Sequence, residues 1–263
     1  MTELSKLPDV DPEVPNAARM YDYYLGGSHN FAADRAAAEQ LLSAVPWAVE
    51  VARANRFFLG RAVRFCVEEG IDQFLDLGSG IPTVGNVHEA ARAHNPQARV
   101  AYVDNEPVTV ASAAALLAGD PLATIIAADV RDPDAVYASQ GVRDLLDLSR
   151  PVALLTVAVL HFVPDEDEPL ALVERYRSRL APGSVHVLSH GTADHDPSEA
   201  ASLTSVYRNT ANPATTRTRE QVAALFGDTE LVEPGLVDAT EWRPQDMVGG
   251  QHRGLWAGVG RIR

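Results

Sequence analysis

Two rhythms of apolar and polar positions divide this chain. From Asn16 to Gly70 apolar residues recur at helical spacing, without strand-like alternation. Ala32 to Val45 is rich in alanine and leucine. It carries Asp34 near its start, where a helix dipole is positive, and Pro46 ends it. Trp47 to Glu69 predicts a long helix closing on Gly70. Its arginines, Arg53, Arg56, Arg61 and Arg64, are expected to form mostly a solvated face. The rhythm then changes. Short apolar runs predict strands over Gln73–Leu77, Arg99–Val103, Ala123–Ala128, Val152–Leu160 and Val185–Ser189. Helical patterns fall over Val84–His94, Val108–Leu117, Asp134–Leu146 and Leu170–Leu180, with Gly141 as the point where the third would break. Val152 to Leu160 is almost wholly apolar, as the buried centre of a parallel sheet requires. Strands alternating with helices predict an α/β doubly wound sheet. The last quarter departs from that order. A helix over Arg219–Phe226 is followed by two strand-like runs, Thr229–Val237 and Leu255–Ile262, which predict an antiparallel pair at the sheet edge.

Residues 1–14, marked by Pro8, Asp9, Asp11, Pro12 and Glu13, are expected to be a disordered tail. Residues 15–70 read as a helical N-terminal lid segment, and 71–263 as the α/β domain. The first twenty residues lack the basic and apolar regions of a signal peptide. The longest apolar run is far short of the roughly 20 residues a membrane helix needs. A cytoplasmic protein is expected.

Charge narrows the chemistry. The 263 residues include 36 acidic and 22 basic side chains, a net charge of −14. Such an excess disfavours nonspecific binding to nucleic acid or to an anionic membrane. Lys6 is the only lysine, which excludes a P-loop lysine and argues against a Schiff base. Cys66 is the only cysteine, so no intrachain disulfide forms.

The central motif is Asp76-Leu-Gly78-Ser-Gly80, between a predicted strand and a predicted helix. There glycines let a ligand approach the backbone, and the helix start offers unpaired N–H groups. Asp104 ends the next strand, where a carboxylate can accept both hydroxyls of a ribose. Asp129 ends the one after, where it could accept from an adenine amino group. Any one of these aspartates could simply cap a helix. Three at successive strand ends converge on one nucleoside. A dinucleotide fingerprint wants a third glycine where Thr83 stands, preceded by Pro82. Asp76 would repel a pyrophosphate and suits a cationic ligand with an amino-acid tail. S-adenosylmethionine has both an ammonium and a sulfonium. Two other readings stay open. A nicotinamide-dependent (NAD or NADP) oxidoreductase is favoured by Asp104 and opposed by Thr83 and Asp76. A non-catalytic regulatory module that binds S-adenosylmethionine would carry the same motifs.

Together with Ala128-Asp129-Val130 and Val159-Leu-His-Phe-Val-Pro-Asp165, these motifs resemble those of class I S-adenosylmethionine-dependent methyltransferases. Asn16-Ala-Ala-Arg-Met-Tyr-Asp-Tyr-Tyr-Leu-Gly-Gly27, with Asn30-Phe31, is similar to a narrower actinobacterial family of such enzymes. Ala54-Asn-Arg-Phe-Phe-Leu59, Gln73–Thr83 and Leu231–Val237 resemble the same family. The resemblance implies a Rossmann-like, mostly parallel seven-stranded sheet with an antiparallel C-terminal edge strand and a helical N-terminal lid. It implies S-adenosyl-L-methionine as cofactor and a small-molecule methyl acceptor. It further implies that Asp76 orients the methionine amino group and that Gly78 and Gly80 pass beneath methionine and ribose. By the same resemblance Asp104 holds the ribose, Asn105 lies beside the adenine, and Asp129 and Val130 meet its edge. The backbone at Ala158 and Val159 would line the methionine side.

Tyr21, Tyr23 and Tyr24 lead into Gly26-Gly27. Such a segment can fold over a mouth and hinge at the glycines, or it can be a core helix with a glycine cap. The resemblance favours a lid in which Tyr21 and Gly26 contact the cofactor. Arg56 and Arg217 are candidate contacts for the acceptor. His161, just past the central strand, is the candidate catalytic base, with His190 second. A metal site is not expected. His186 and His190 lie four residues apart on a strand, about 13 Å at roughly 3.3 Å per residue, too far for one ion.

Overall fold

The computed structural model describes residues 7, 10–83, 85–244 and 252–263. Lys6, the first part of the expected tail, and Val84 at the start of a predicted helix lie outside the described residues. The chain opens with three helices: α1 (Ala17–Tyr24), α2 (Ala32–Ala44) and α3 (Ala48–Glu68). Alternation follows through β1 (Gln73–Leu77), α4 (Val87–Arg92), β2 (Arg99–Asp104), α5 (Pro107–Leu116) and β3 (Ala123–Ala127). Next come α6 (Pro133–Ala138), α7 (Gln140–Leu145), β4 (Ala153–Val157), α8 (Pro169–Arg177) and β5 (Val185–Gly191). The chain ends with α9 (Pro197–Tyr207), α10 (Arg219–Ala224), β6 (Glu230–Leu231), β7 (Val237–Asp238) and β8 (Leu255–Arg261).

One sheet runs β3-β2-β1-β4-β5-β8-β6, with β7 also paired to β8. The first five strands are parallel. β8 is antiparallel to β5, with Val187 opposite Val259. The strand predicted over Thr229–Val237 forms as two short pieces, β6 and β7, both on the outer flank of β8. A turn separates them, closed by the Gly235 N–H on the Val232 carbonyl and containing Pro234, which has no N–H to donate. The C-terminal strand is therefore inserted beside β5, and among the described residues the seven strands expected are present, the sixth as the two pieces β6 and β7. Chain order reverses between β1 and β4, the switch point at which ligands of open α/β sheets bind.

All five β1 residues are buried, because both faces of the sheet are covered. One face packs Phe74, Val100 and Leu155 beneath α3 and Trp242. The other packs Leu75, Val103 and Leu154 beneath α8 and α10. A third cluster joins α1, α2 and α9 through Met20, Tyr24, Leu41, Val206 and Tyr207. It sits apart from the sheet and walls the cavity described below.

Two helices differ from expectation. The segment over 134–146 breaks at Ser139. The Ser139 backbone ends α6 and its hydroxyl caps α7 by accepting the Val142 N–H. Gly141 lies inside α7 and is bare for packing, since a Cβ there would come 2.9 Å from Ile126. α9 was not anticipated, yet Asp196 accepts from the Ser198 and Glu199 N–H groups ahead of Pro197 at the first helical turn. Arg61 departs from the solvated face expected of it and donates to the carbonyls of Ala239 and Trp242.

Candidate active site

A cavity of about 470 Å³ opens at the carboxyl ends of β1, β2 and β4, and α1, α3, α9 and the segment 211–216 enclose it. The size falls in the range of roughly 300–1,000 Å³ typical of small-ligand sites. Asp76, Gly78, Gly80, Asp104, Asn105, Asp129, Val130, Ala158, Val159, Tyr21, Arg56 and His161 all line it. Gly26 and Arg217 do not.

The glycine turn is stapled to β2. The N–H groups of Gly78 and Ser79 both donate to the Val103 carbonyl, at 2.8 and 3.1 Å. Gly78 has φ +67, and a Cβ there would stand 2.2 Å from Val159 Cγ2. Its bareness is thus required by Val159 before any ligand arrives. Gly80 has φ +65 and open space where a Cβ would point. Its N–H donates to Asp104 Oδ2 at 2.9 Å, and the Glu106 N–H donates to Asp104 Oδ1 at 2.9 Å. Two backbone donors therefore fix the Asp104 carboxylate, while burial pushes it up to about 6. Asp129 is held by the Arg131 side chain, which keeps it below the usual carboxylate range, and Asn105 Nδ2 reaches it at 3.4 Å.

Asp76 is different. It is 6% exposed, and among the described residues its carboxylate accepts no hydrogen bond. Burial pushes it up to about 7; nearby Arg56 pulls it down and Asp104 raises it further. A buried carboxylate without a donor is costly unless a ligand supplies one.

The N-terminal helices attach to this centre through three devices. A directed chain of hydrogen bonds runs from the sheet to α1. The Ala158 N–H donates to Ser189 Oγ (3.0 Å), Ser189 Oγ to Asn55 Oδ1 (2.6 Å), Asn55 Nδ2 to Tyr21 Oη (3.1 Å), and Tyr21 Oη to the Ala52 carbonyl (2.9 Å). Ala158 itself has φ +57, a left-handed conformation rare outside glycine and characteristic of sites that aim a backbone group. Secondly, Arg19, 3% exposed, donates to Asp34 Oδ2 at 2.9 Å and to Glu106 Oε1 at 3.0 Å. It also binds the carbonyls of Asp11 and Val14. Asp34 is therefore a buried ion-pair partner as well as a helix-start carboxylate. Thirdly, the Asp22 carboxylate accepts from the His29 N–H and Asn30 Nδ2, both at 2.8 Å, and lies 3.3 Å from Thr83 Oγ1. A Cβ on Gly27 would strike it at 1.9 Å.

Gly26 caps α1 with φ +80, its N–H on the Tyr23 carbonyl, and stands away from the cavity. The double glycine is a helix cap wound about Asp22, and this replaces the cofactor contact expected of Gly26. Arg217 is also corrected. Its guanidinium donates to Leu160 O, Val163 O, His190 Nε2 and Asp165 Oδ1, so it braces the turn after β4 and has no part in the cavity wall. His190 is consumed by the same brace, and burial lowers it to about 4. His161 remains at the cavity. Burial, His190 and Arg217 hold its ring well below the usual histidine value, so it is neutral at physiological pH. No described group of three or more His, Cys, Asp or Glu side chains could hold a metal ion. No described helix is long and apolar enough to cross a membrane.

Strand order, glycine turn and strand-end carboxylates together define the class I methyltransferase fold. A model of the S-adenosyl methyltransferase family matches residues 4–263, and the chain belongs to that family. It is 41% identical to a provisionally assigned methyltransferase from Thermobifida fusca, with a TM-score of 0.92 over 97% of this chain and 98% of that one. It is 37% identical to a DUF574 family protein from Streptomyces avermitilis, with a TM-score of 0.92 over 96% and 99%. Human N-acetylserotonin methyltransferase in complex with S-adenosylmethionine shares the fold at 16% identity, with a TM-score of 0.52 over 99% of this chain and 74% of that one. No curated protein matches the chain.

Proposed function

We propose that this protein transfers a methyl group from S-adenosylmethionine to a small-molecule acceptor held in the same cavity. The observation that carries the reading is Asp76. Its carboxylate lines the cavity beside the glycine turn with no hydrogen-bond donor among the described residues, and a ligand ammonium would complete it. A pyrophosphate at the same turn would meet that carboxylate instead, which disfavours a dinucleotide.

When bound, S-adenosylmethionine supplies a methyl group activated on sulfonium. The chain's own residues bind and orient. Asp76 receives the amino group, with Arg56 on the same wall as a contact for the ligand's carboxylate. Asp104, held rigid by Gly80 and Glu106, presents its remaining lone pairs to the ribose hydroxyls. Asn105, Asp129 and Val130 form the adenine edge. The backbone at Ala158 and Val159 lines the methionine side, and Tyr21 covers it from α1. Residues 15–70 serve as the lid of this site. Alignment of nucleophile and methyl can supply much of the acceleration, because holding reactants in line replaces an entropic barrier. His161 acts as a neutral contact beside the reacting atoms. A proton on its ring is opposed by burial, by His190 and by the Arg217 cation, so it is a weak base whose part is proximity to the reacting atoms.

Thermal unfolding tests the reading. S-adenosylmethionine and S-adenosylhomocysteine, each at 100 times its dissociation constant, should stabilise by about 2.7 kcal/mol. NAD and NADP should leave the midpoint unmoved. A shift with NAD or NADP alone would overturn the assignment.

A further inference from the structure

The half of the cavity away from the glycine turn has a different chemistry. It lies beyond β5 and is walled by α2, the start of α3, and α9. Its rings are Trp47, Phe162 and Tyr207. Phe162 and Tyr207 lie 5.6 Å apart, centroid to centroid. Leu41, Val45 and Leu203 complete the apolar body.

The charges at this end are acidic. Glu199 faces the cavity from α9, and the Trp47 indole N–H reaches across to its Oε2 at 3.0 Å. That bond fixes the carboxylate against the aromatic wall. Glu199 Oε1 accepts no hydrogen bond among the described residues. Asp196 stands one turn earlier, with Oδ1 spent on capping α9 and Oδ2 accepting none among the described residues. The guanidinium on this wall, Arg253, is paired with Glu241. Arg217, which could have recognised an anion, is consumed by the brace behind the turn after β4. His195 also lines this end, 3.6 Å from Asp238.

Aromatic faces attract cations, a half-satisfied carboxylate asks for a donor, and an anionic ligand would meet Glu199 and Asp196, with an already paired Arg253 as the guanidinium at this end. The volume must also be shared, since about 470 Å³ serves cosubstrate and acceptor together. We propose that the acceptor is a small aromatic amine-bearing molecule, its ammonium bound by Glu199 and its ring packed among Trp47, Phe162 and Tyr207. The bound ammonium is the recognition group, and the position methylated is a separate matter. This inference rests on the methyltransferase reading above.

The test is titration calorimetry on the full chain saturated with S-adenosylhomocysteine. The probes are 2-phenylethylamine, its near-isostere 3-phenylpropionate, and neutral 2-phenylethanol. The amine should bind below about 1 mM and at least tenfold more tightly than the carboxylate. Glu199→Gln should remove most of that preference, leaving the neutral probe and S-adenosylhomocysteine unchanged. Asp196→Asn provides a second variant, because asparagine caps a helix as well as aspartate does. It should weaken the amine by a smaller factor. Carboxylate binding equal to or tighter than amine binding would overturn the proposal. So would amine binding unmoved by Glu199→Gln, or no probe binding to protein that binds S-adenosylhomocysteine normally. Failure of S-adenosylhomocysteine itself to bind would instead overturn the cofactor reading, and this inference with it.

Discussion

Asp76 concentrates the conflict between stability and function in one side chain. Burial holds its carboxyl up at about 7, whereas in an unfolded chain it would titrate near 3.9. The stability this group contributes is full below about pH 4 and is lost as pH rises toward 7, because the unfolded state releases the proton first. Asp104, pushed up to about 6, adds in the same direction. Asp76→Asn should therefore stabilise the ligand-free protein at pH 8 by about 2 kcal/mol or more, and by less at pH 5. Urea unfolding at the two pH values measures this. Equal gains at both would show that the carboxylate is not perturbed. Gly78 gives a second residue-scale expectation. Gly78→Ala forces a Cβ onto Val159 Cγ2 at φ +67 and should cost about 2 kcal/mol. Adding Val159→Ala should restore part of that loss. A double variant no more stable than Gly78→Ala would place the cost in the backbone and in the Val159 Cβ, 2.8 Å away, and not in the Cγ2 methyl. Asp76, Asp104 and Asp129 were legible in the sequence because each depends only on a local strand end. Arg217 and Gly26 were not. What an arginine or a glycine does depends on which distant groups arrive beside it, here the turn after β4 and the Asp22 carboxylate.

At the level of elements, the helices at the N-terminus are tied to the loop after β2 by charge as much as by packing. Arg19 joins α1 to Asp34 of α2 and to Glu106, two residues after Asp104. Removing one partner of such a network strands the others in a low dielectric. Arg19→Ala should therefore cost about 3–5 kcal/mol in urea unfolding. A loss below about 1 kcal/mol would show the network to be well hydrated. Sequence periodicity found α2, α3 and the five parallel strands within a few residues, because burial repeats there at a constant period. It missed α9, whose signal was the Asp196–Pro197 start and not a regular apolar stripe. It also ran β4 on to Leu160, whereas Ala158 turns out of the strand into the left-handed region. Apolar composition there reflects burial near the site, which strand and turn share.

For the molecule as a whole, the parallel order followed from the alternation of elements, and the antiparallel C-terminal strand from the break in that alternation. The position of β8 between β5 and the split outer strand did not, because strand order and register belong to the assembled sheet. That sheet sets three carboxylates around one cavity, which the N-terminal helices then cover. The whole site carries more acid than base, so ligand affinity should follow pH. S-adenosylmethionine should bind more tightly at pH 8 than at pH 6, because its amino group needs Asp76 ionised. Titration calorimetry of S-adenosylmethionine against the unmodified protein and Asp76→Asn, at pH 6 and pH 8, tests the central claim most directly. The account predicts that the unmodified protein binds several-fold more tightly at pH 8, and that Asp76→Asn binds at least tenfold more weakly there with little pH dependence left. Undiminished affinity in the folded Asp76→Asn protein would contradict it.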